Sequence, residues 1–401
     1  MVTPGGARPA RVAPTPSDLA HWFGECYRRD PDLIWRAPGR VNLIGEHTDY
    51  NDGLVLPFAL DRGVLAAVAA RADGLLEVRS RQEPGEVTSV RVDRLAPGNV
   101  AGWAGYAAGA VWALRAAGHD IGGASLAIDS DLPIGAGLSS SAALCCATVS
   151  ALAALAARAG AAMPSRSEIA AMARSAEADY VGMPCGIMDQ SASMLCEAGQ
   201  ALLLDCRSGE SSDVPLDPAA AGLQIVMADT GVRHVLADGQ YAARREQCRQ
   251  AAELLGVPAL REVTGVSGLT ALTDPVLARR ARHVVTEIAR VTQAADLLRA
   301  GRLADCGSLL TASHASLRDD FQVSWPEADI AVDAALSAGA VGARMTGGGF
   351  GGCVLVLLPA DRRPAVTAAI STALANRAAP AGIWFLAAQP ARGAREVWSR
   401  G

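Results

Sequence analysis

The chain has 401 residues, half of them hydrophobic, with a net charge of −5 at pH 7 and an isoelectric point near 5.7. This length is typical of about two domains with a large core, and the acidic balance argues against a nucleic-acid surface. No apolar run is expected to be long enough to span a bilayer. Residues 1–20 lack the apolar centre of a secretion signal and are expected to form a loose leader. We therefore expect a cytoplasmic protein with no membrane or nucleic-acid partner.

Lysine is absent from the sequence, so all 36 basic residues are arginine. Its absence excludes a phosphate-binding loop ending in GK[ST], the lysine of protein kinases and any Schiff-base mechanism. If the chain binds ATP, it must hold the phosphates with backbone amides, arginine, hydroxyls and a metal ion. The nine cysteines form no CxxC pair and the six histidines are scattered, which indicates free thiols and argues against structural zinc.

The first segment that carries chemistry is GRVNLIGEHTDYNDG, at residues 39–53. Its Glu46, His47 and Asp49 are spaced to face one small partner, and carboxylates accept the hydrogen bonds that sugar hydroxyls donate. A polar turn between strands is the plainer interpretation, but turns seldom carry so many hydrogen-bonding groups. We therefore predict a polyol site in this segment.

The hydrophobic periodicity along the rest of the chain predicts α+β layers more than a doubly wound parallel sheet. Strands are predicted at 54–70, 75–79, 124–130, 200–206, 223–229 and 353–358. Helices are predicted at 104–117, 141–159, 165–182, 238–255, 275–300 and 327–338. Ser165 and Glu168 are spaced as a capping box at the start of one helix.

Two glycine-rich elements are candidates for anion contact. GAGLSSSAA at 135–143 lies between a strand and a long helix, whose free amides and positive dipole end favour an anion. Its serines add hydroxyl donors and a hard oxygen that suits magnesium. RMTGGGFGGC at 344–353 joins Arg344 to a strand. The plainer interpretations are a capped glycine turn and a flexible hairpin.

The segment EADYVGMPCGIMDQ, at 177–190, lies between these loops and places Glu177 twelve positions before Asp189. Asp189 follows a glycine- and proline-rich turn within an apolar stretch, so we expect it to be partly buried. A buried carboxylate needs a partner, and a catalytic role is one explanation, although most lone carboxylates are simply solvated. Further on, Tyr241 lies in a helix whose arginines are expected to form a solvated face, and its ring could cover a sugar.

Together, several of these segments resemble the galactokinase family of the GHMP small-molecule kinase superfamily. They are GRVNLIGEHTDYNDGLVLP, GAGLSSSAA, GMPCGIMDQ and GARMTGGGFGGC, with RHVLADGQYAARREQC and RDDFQVSWPE as further signatures. The resemblance runs from about Trp35 to Cys353. The glycine–serine loop marks only the superfamily, whereas EHTDYN is specific to the substrate. The missing lysine fits, since this superfamily does not use the lysine-bearing phosphate loop.

The resemblance implies ATP-dependent phosphorylation of galactose at its anomeric hydroxyl, with ATP and Mg²⁺ bound. Asp189 would be the general base, or the acceptor that orients this hydroxyl, and Arg40 would neutralise the developing charge. The residues implied for the sugar are Glu46, His47, Thr48, Asp49, Gly186 and Tyr241. Those implied for ATP are Gly135, Ala136, Gly137, Leu138, Ser139, Ser140, Ser141 and, as a looser match, Trp103. Those implied for Mg²⁺ are Ser141 and Glu177.

The resemblance also implies a two-domain α+β fold with the active site between the domains, and we expect a monomer. The N-terminal domain would span 21–180, with the sugar segment at 39–53 and the phosphate loop at 135–141. The C-terminal domain would span 181–382, with the base-bearing turn at 182–190 and the glycine-rich loop at 346–352. A C-terminal strand within 383–401 is expected to rejoin the first domain. The leader and Trp325, where a smaller residue is expected, depart from the family pattern.

Two other functions stay open at this level. A kinase for a related sugar, such as N-acetylgalactosamine or a deoxygalactose, would carry the same motifs, because pocket volume is invisible in a sequence. A non-catalytic sensor of sugar and ATP is the alternative of a different class, since a fold does not fix a function. A sensor would not need all of Arg40, Ser141, Glu177 and Asp189.

Overall fold

The computed structural model describes residues 13–133, 135–233, 237–375, 377 and 382–400. The helices are α1 (Pro16–Tyr27), α2 (Ala104–Ala116), α3 (Ser140–Arg158), α4 (Arg166–Ser175), α5 (Met188–Leu195), α6 (Ala237–Leu254), α7 (Pro275–Arg299), α8 (Cys306–Ser316), α9 (Pro326–Ser337) and α10 (Arg363–Leu374). The strands are β1 (Leu33–Asn42), β2 (Leu54–Val55), β3 (Pro57–Ala70), β4 (Leu75–Ser80), β5 (Thr88–Arg91), β6 (Ala124–Ser130), β7 (Gln200–Asp205), β8 (Ser211–Pro215), β9 (Leu223–Asp229), β10 (Gly342–Met345), β11 (Cys353–Pro359), β12 (Trp384–Ala388) and β13 (Arg395–Ser399). Each strand and helix predicted from the sequence is present, with ends that differ by a few residues.

A six-stranded sheet in the order β13-β1-β3-β6-β4-β5 forms the centre of the N-terminal half. Its neighbouring strands are antiparallel except β4 and β6, which are parallel. Helix α1 covers one face of this sheet, and α2, α3, α4 and α5 lie on the other side. The mostly antiparallel pairing confirms an α+β fold and excludes the doubly wound alternative.

The C-terminal half is built on a four-stranded antiparallel sheet in the order β10-β11-β9-β12, packed with helices including α6, α7, α9 and α10. A small third sheet joins β2 to β7 and β8. The segment 383–401 is more than the single returning strand that was predicted, because β12 pairs with β9 and only β13 pairs with β1. The chain therefore crosses between the two main sheets near its end.

Helix α1 shows that the predicted loose leader over residues 1–20 is wrong from Pro16 onward. The Thr15 hydroxyl accepts from the backbone N–H of Asp18 at 3.1 Å, which caps the helix. Leu19 and Phe23 are fully buried against the six-stranded sheet, and each such side chain stabilises the fold by about 1.5–3 kcal/mol. Residues 1–12 lie outside the described residues.

Helix α3 corrects the expectation that no apolar run is long enough to cross a bilayer. Its 19 residues are long and apolar enough by length and composition alone. In the structure, 67% of its most apolar window is buried inside the protein, against β1, β3 and α2. Its apolar surface is that of a core helix. The nine cysteines, two of them in α3, are free thiols as predicted.

The predicted capping box opens α4. Ser165 accepts from the backbone N–H of Glu168 at 3.2 Å, and the Glu168 carboxylate accepts from the backbone N–H of Ser165 at 2.7 Å. The helix continues as a π-helical turn, Ala176–Val181, and ends at Gly182 with φ 85°. This wide turn places Glu177 towards the interior. The domain boundary at residue 180 stays a prediction, and the packing of α5 against α3 and α4 argues for a later one.

Candidate active site

Arg40 and Asp189 form an ion pair where β1 nears its end and α5 begins. Arg40 Nε donates to Asp189 Oδ1 at 2.8 Å, and Nη2 lies 2.7 Å from Oδ1 and 2.9 Å from Oδ2. Arg40 is buried, whereas 26% of the Asp189 side chain stays exposed. The predicted turn over 182–190 is wrong at its end, because α5 begins at Met188. Asp189 therefore lies in the first turn of a helix, where the dipole favours its negative charge.

The strand that carries Arg40 is hydrogen-bonded directly to the glycine–serine loop. The register between β1 and β3 shifts between Pro38 and Arg40, an irregularity that re-aims side chains. A Cβ on Gly39 would lie 2.5 Å from the carbonyl oxygen of Leu138, so only glycine permits this approach. Leu138 O accepts from the backbone N–H of Arg40 at 3.3 Å, and Gly137 O accepts from Arg40 Nη1 at 2.8 Å. The position of Arg40 is thus tied to that of the loop.

A cavity of about 350 Å³ opens between the two glycine-rich loops. Six of the seven residues predicted to wrap ATP phosphates line it, with residues 347–349 opposite and Arg40, Asp189 and Tyr241 beside them. The seventh, Ala136, is fully buried in the core, so its side chain is not available to a ligand. The cavity lies at the N-terminal end of α3, whose free amides suit an anion.

Trp103 does not line this cavity. Its indole N–H donates to the carboxylate of Glu86 at 2.9 Å, and its ring packs partly buried against the N-terminal core. A contact with adenine would need the base to extend beyond the cavity towards the start of α2. The assignment of Trp103 to ATP therefore stays a prediction.

Glu177 is a buried carboxylate next to the cavity. The pKa of Glu177 is raised to about 7. Burial is the largest cause, and the charge of Asp189 raises the pKa further, while the hydrogen bond from Ser141 lowers it. Gln190 Nε2 also donates to this carboxylate at 2.8 Å. The described residues contain no group of three or more His, Cys, Asp or Glu that could hold a metal ion. Ser141 and Glu177 nevertheless fit Mg²⁺, which takes one or two protein oxygens and completes its shell with phosphate and water.

Glu46 joins the sugar segment to the second glycine-rich loop. Its carboxylate accepts from Thr346 Oγ1 at 2.8 Å and from the backbone N–H of Gly347 at 2.7 Å, and the side-chain amide of Asn42 donates to its other oxygen. The residue is 1% exposed. Oε1 takes two of these donors and lies 3.5 Å from Arg344 Nη2, whereas Oε2 takes only one. Oε2 therefore has an acceptor position left for one hydroxyl.

His47 is held within a cluster of aromatic rings. Its Nδ1 lies 2.9 Å from the hydroxyl of Tyr50, and its ring centre lies 4.7 Å from that of Phe321 and 5.6 Å from that of Tyr241. Burial, then the charge of His283, lower the pKa of His47 well below its ordinary value, so the ring is neutral. Its Nε2 is buried and has no hydrogen-bond partner among the described residues. This free nitrogen fits a ligand that supplies a hydroxyl.

Asp49 and Gly186, both assigned to the sugar by the family resemblance, lie next to each other. A Cβ on Gly186 would lie 1.9 Å from Asp49 Oδ2, so the close approach of this carboxylate requires glycine. Burial, then the charge of Asp189, raise the pKa of Asp49 to about 6. A donor that reached Asp49 would relieve this cost of burying a charge.

Thr48 stabilises the backbone conformation of the sugar segment. It is fully buried, and its hydroxyl lies 2.9 Å from Gly45 O and 2.7 Å from Leu54 O. A hydroxyl has one hydrogen, which these carbonyl oxygens take up. The contact between Thr48 and a sugar stays a prediction that this geometry does not favour.

Three family models match separate parts of the chain. Residues 21–70 match the galactokinase galactose-binding signature, 105–197 the N-terminal domain of GHMP kinases, and 294–376 their C-terminal domain. A galactokinase of Streptomyces coelicolor is 47% identical over 380 residues, which are 94% of this chain and 97% of that protein.

The chain belongs to the galactokinase family. A human galactokinase is 44% identical over 374 residues, 89% of this chain and 91% of that protein. The crystal structure of Lactococcus lactis galactokinase complexed with galactose matches with a TM-score of 0.88 and 31% identity, covering 95% of this chain and 99% of that chain. The family and its two-domain GHMP kinase fold, predicted from the sequence, are therefore confirmed.

Trp325, which departs from the family pattern, is accommodated in the second core. It is 6% exposed, precedes α9, and its indole N–H donates to the hydroxyl of Thr230 at 3.2 Å. Residues 234–236, part of another predicted signature segment, lie outside the described residues.

A layer of polar residues on α7, behind the sugar segment, was not predicted from the sequence. Glu287 accepts from the backbone N–H of Gly45 at 3.0 Å, and His283 Nε2 lies 3.1 Å from the carbonyl oxygen of Glu46. Burial raises the pKa of Glu287, but the charges of Arg290, His283 and Arg344 outweigh this and lower it to about 2. The sequence did carry a signal for this layer, because His283 and Glu287 are polar residues four apart on the apolar face of a helix.

Proposed function

We propose that this protein transfers the γ-phosphoryl group of ATP to the anomeric hydroxyl of galactose, giving galactose 1-phosphate and ADP. The observation that carries the proposal is the Arg40–Asp189 pair at the junction of the glycine–serine loop and the sugar segment. A carboxylate at that place can take the proton of a hydroxyl while an arginine faces the phosphoryl group.

In the chemical step, the anomeric oxygen attacks the γ-phosphorus, the bond to the β-phosphate oxygen breaks, and ADP leaves. Asp189 accepts the proton of the attacking hydroxyl or orients it for attack. Arg40 orients the Asp189 carboxylate through its paired hydrogen bonds and offsets negative charge on the transferring group. Catalysis then consists of positioning and charge neutralisation, as expected for phosphoryl transfer.

The glycine–serine loop and the N-terminus of α3 hold the phosphates of ATP through backbone amides and serine hydroxyls. This replaces the lysine that the chain lacks. Ser141 and Glu177 would hold Mg²⁺, which would neutralise phosphate charge. Burial raises the pKa of Glu177 to about 7, and a bound cation would favour the ionised carboxylate.

The sugar is recognised by hydrogen-bonding groups that would otherwise be buried without full partners. The carboxylate of Asp49 accepts from its hydroxyls, and Glu46 supplies one further acceptor site. The unpaired Nε2 of His47 pairs with a hydroxyl as donor or acceptor, according to the tautomer of the ring. Tyr241 closes the pocket with its ring. A sugar whose hydroxyls point elsewhere leaves these groups unsatisfied, which weakens binding strongly.

The proposal is tested by ADP release from purified protein with ATP and Mg²⁺. We expect release with galactose and only the background rate with glucose or no sugar, because the acceptors above are arranged for one hydroxyl configuration. Absence of release with galactose, from protein shown to be folded and to bind ATP, would contradict the proposal. Release at equal rates with galactose and glucose would contradict the assigned sugar contacts.

The same assay separates the alternatives. Turnover on 2-deoxygalactose, galactosamine and N-acetylgalactosamine is compared with turnover on galactose. A higher kcat/KM on a modified sugar assigns the protein to that substrate. No turnover on any of them, with sugar and ATP both bound, would indicate a sensor.

Glu46→Ala is expected to raise the KM for galactose by about 10- to 100-fold, the cost of removing a charged hydrogen-bond acceptor. The KM for ATP should change by less than about threefold, since Glu46 does not line the loop cavity. Steady-state kinetics with each substrate varied in turn measures both. Glu253→Ala, an exposed glutamate on α6, is the matched control. Unchanged affinity for galactose would remove Glu46 from the pocket.

A further inference from the structure

The side chain of Ser139 forms a hydrogen bond with Asp189, although its loop was predicted to bind phosphate. Its hydroxyl donates to Asp189 Oδ2 at 2.5 Å, and Arg40 Nη2 donates to the same oxygen. Both residues line the loop cavity. The glycine–serine loop therefore contacts the proposed base directly, from a position 50 residues earlier in the chain.

The backbone of Ser139 is set for this contact. Ser139 has φ 58° and ψ 45°, a left-handed conformation that serine seldom adopts. It stands at the N-cap of α3, where a serine side chain ordinarily accepts from the helix amides, yet it makes no such bond. The left-handed turn directs the hydroxyl to Asp189 and leaves the helix amides free.

Ser139 and Ser141 differ in their hydrogen-bond partners. A serine hydroxyl has one hydrogen, so Ser139 cannot donate to Asp189 and to a phosphate oxygen at once. Ser141 contacts Glu177 instead. Ser139 and Ser141 thus face different carboxylates.

We propose that Ser139 is a positioning residue for Asp189, which couples the shape of the glycine–serine loop to the orientation of the base. Ser139 and Arg40 hold the Asp189 carboxylate from two sides, and Arg40 is itself bonded to Gly137 of the loop. The base is fully oriented only when the loop has the conformation that surrounds the cavity. This inference rests on the proposed function, because it assigns Ser139 a part in that reaction.

The test uses Ser139→Gly, which removes the hydroxyl and accepts φ 58° without strain. We expect kcat with galactose to fall about 10- to 100-fold, the effect of losing a hydrogen bond to a charged group. The KM for ATP should stay within about twofold. Ser139→Ala should give the same kinetic pattern.

The double variant Ser139→Gly/Asp189→Ala separates positioning from a merely structural role. If Ser139 acts through Asp189, its replacement should cost little further activity once Asp189 is gone. Arg28→Gly is the matched control, because Arg28 has φ 58° at the C-terminal cap of α1, on the other face of the six-stranded sheet. It should leave kinetics unchanged.

Three results would overturn the inference. A raised KM for ATP with unchanged kcat would make Ser139 a phosphate ligand. Unchanged kinetics would show that the bond to Asp189 has no catalytic effect. Full additivity in the double variant would show that Ser139 acts independently of Asp189. Absence of turnover by the parent protein would instead contradict the proposed function itself.

Discussion

Asp189→Ala is expected to lower kcat by about 10²- to 10⁴-fold while ATP binding stays close to that of the parent protein. The carboxylate is the group at the cavity placed to accept the proton of a hydroxyl, and its loss also leaves the buried Arg40 without its partner. Backbone amides and serine hydroxyls of the glycine–serine loop remain to hold the phosphates. Single-turnover kinetics measures the first effect and calorimetric titration with ATP the second.

The control for this variant is Asp179→Ala, which removes an exposed carboxylate near the end of the same helical segment as Glu177. It should leave kcat within about twofold. Equal losses of turnover and of ATP binding in Asp189→Ala would mean that Asp189 supports the fold rather than the chemistry. Retention of turnover would remove Asp189 from the mechanism.

Arg344→Met is expected to reduce the free energy of unfolding by about 3–5 kcal/mol. Arg344 in β10 is fully buried, donates to the carbonyl oxygens of Asn42 and Leu43 at 3.2 and 3.0 Å, and lies 3.5 Å from the Glu46 carboxylate. Its removal leaves Glu46 buried without a cation and leaves both carbonyl oxygens without this donor. Denaturant unfolding followed by circular dichroism measures the change.

Sugar affinity should fall in the same variant, because Arg344 bridges the C-terminal sheet and the start of the sugar segment. Arg318→Met is the matched control, since Arg318 is partly exposed and pairs with the adjacent Asp319. It should cost no more than about 0.5 kcal/mol. A loss below about 1 kcal/mol for Arg344→Met would show that the two halves are not joined through this residue.

The secondary structure and part of the site could be predicted from the sequence wherever neighbouring residues determine them. Helix α4 is an example, because the Ser165 capping box and the Gly182 terminus are both local signals. The sugar segment is another, since its density of polar groups is unusual at any position. Asp189 was a candidate from its setting after a glycine- and proline-rich turn, whereas the role of Arg40 came only from the resemblance to the family.

The rest depends on contacts that no local pattern reports. Ser139 meets Asp189 across 50 residues, and Arg344 meets Leu43 across 301. Asp189 was placed in a turn because glycine and proline precede it, yet tertiary packing against α3 and α4 lets a helix begin at Met188. Helix α1 was missed because proline and arginine in the preceding residues masked a short amphipathic pattern.

The most direct test of the account is the identity of the sugar product. Galactose, ATP and Mg²⁺ are incubated with the protein, and the phosphorylated sugar is examined by ³¹P and ¹H NMR. We predict a single product in which phosphorus couples to the anomeric proton, which places the phosphoryl group on the oxygen that Asp189 faces. A product in which the three-bond coupling of phosphorus is to a proton on any other carbon, or ADP formation without a phosphorylated sugar, would contradict the account.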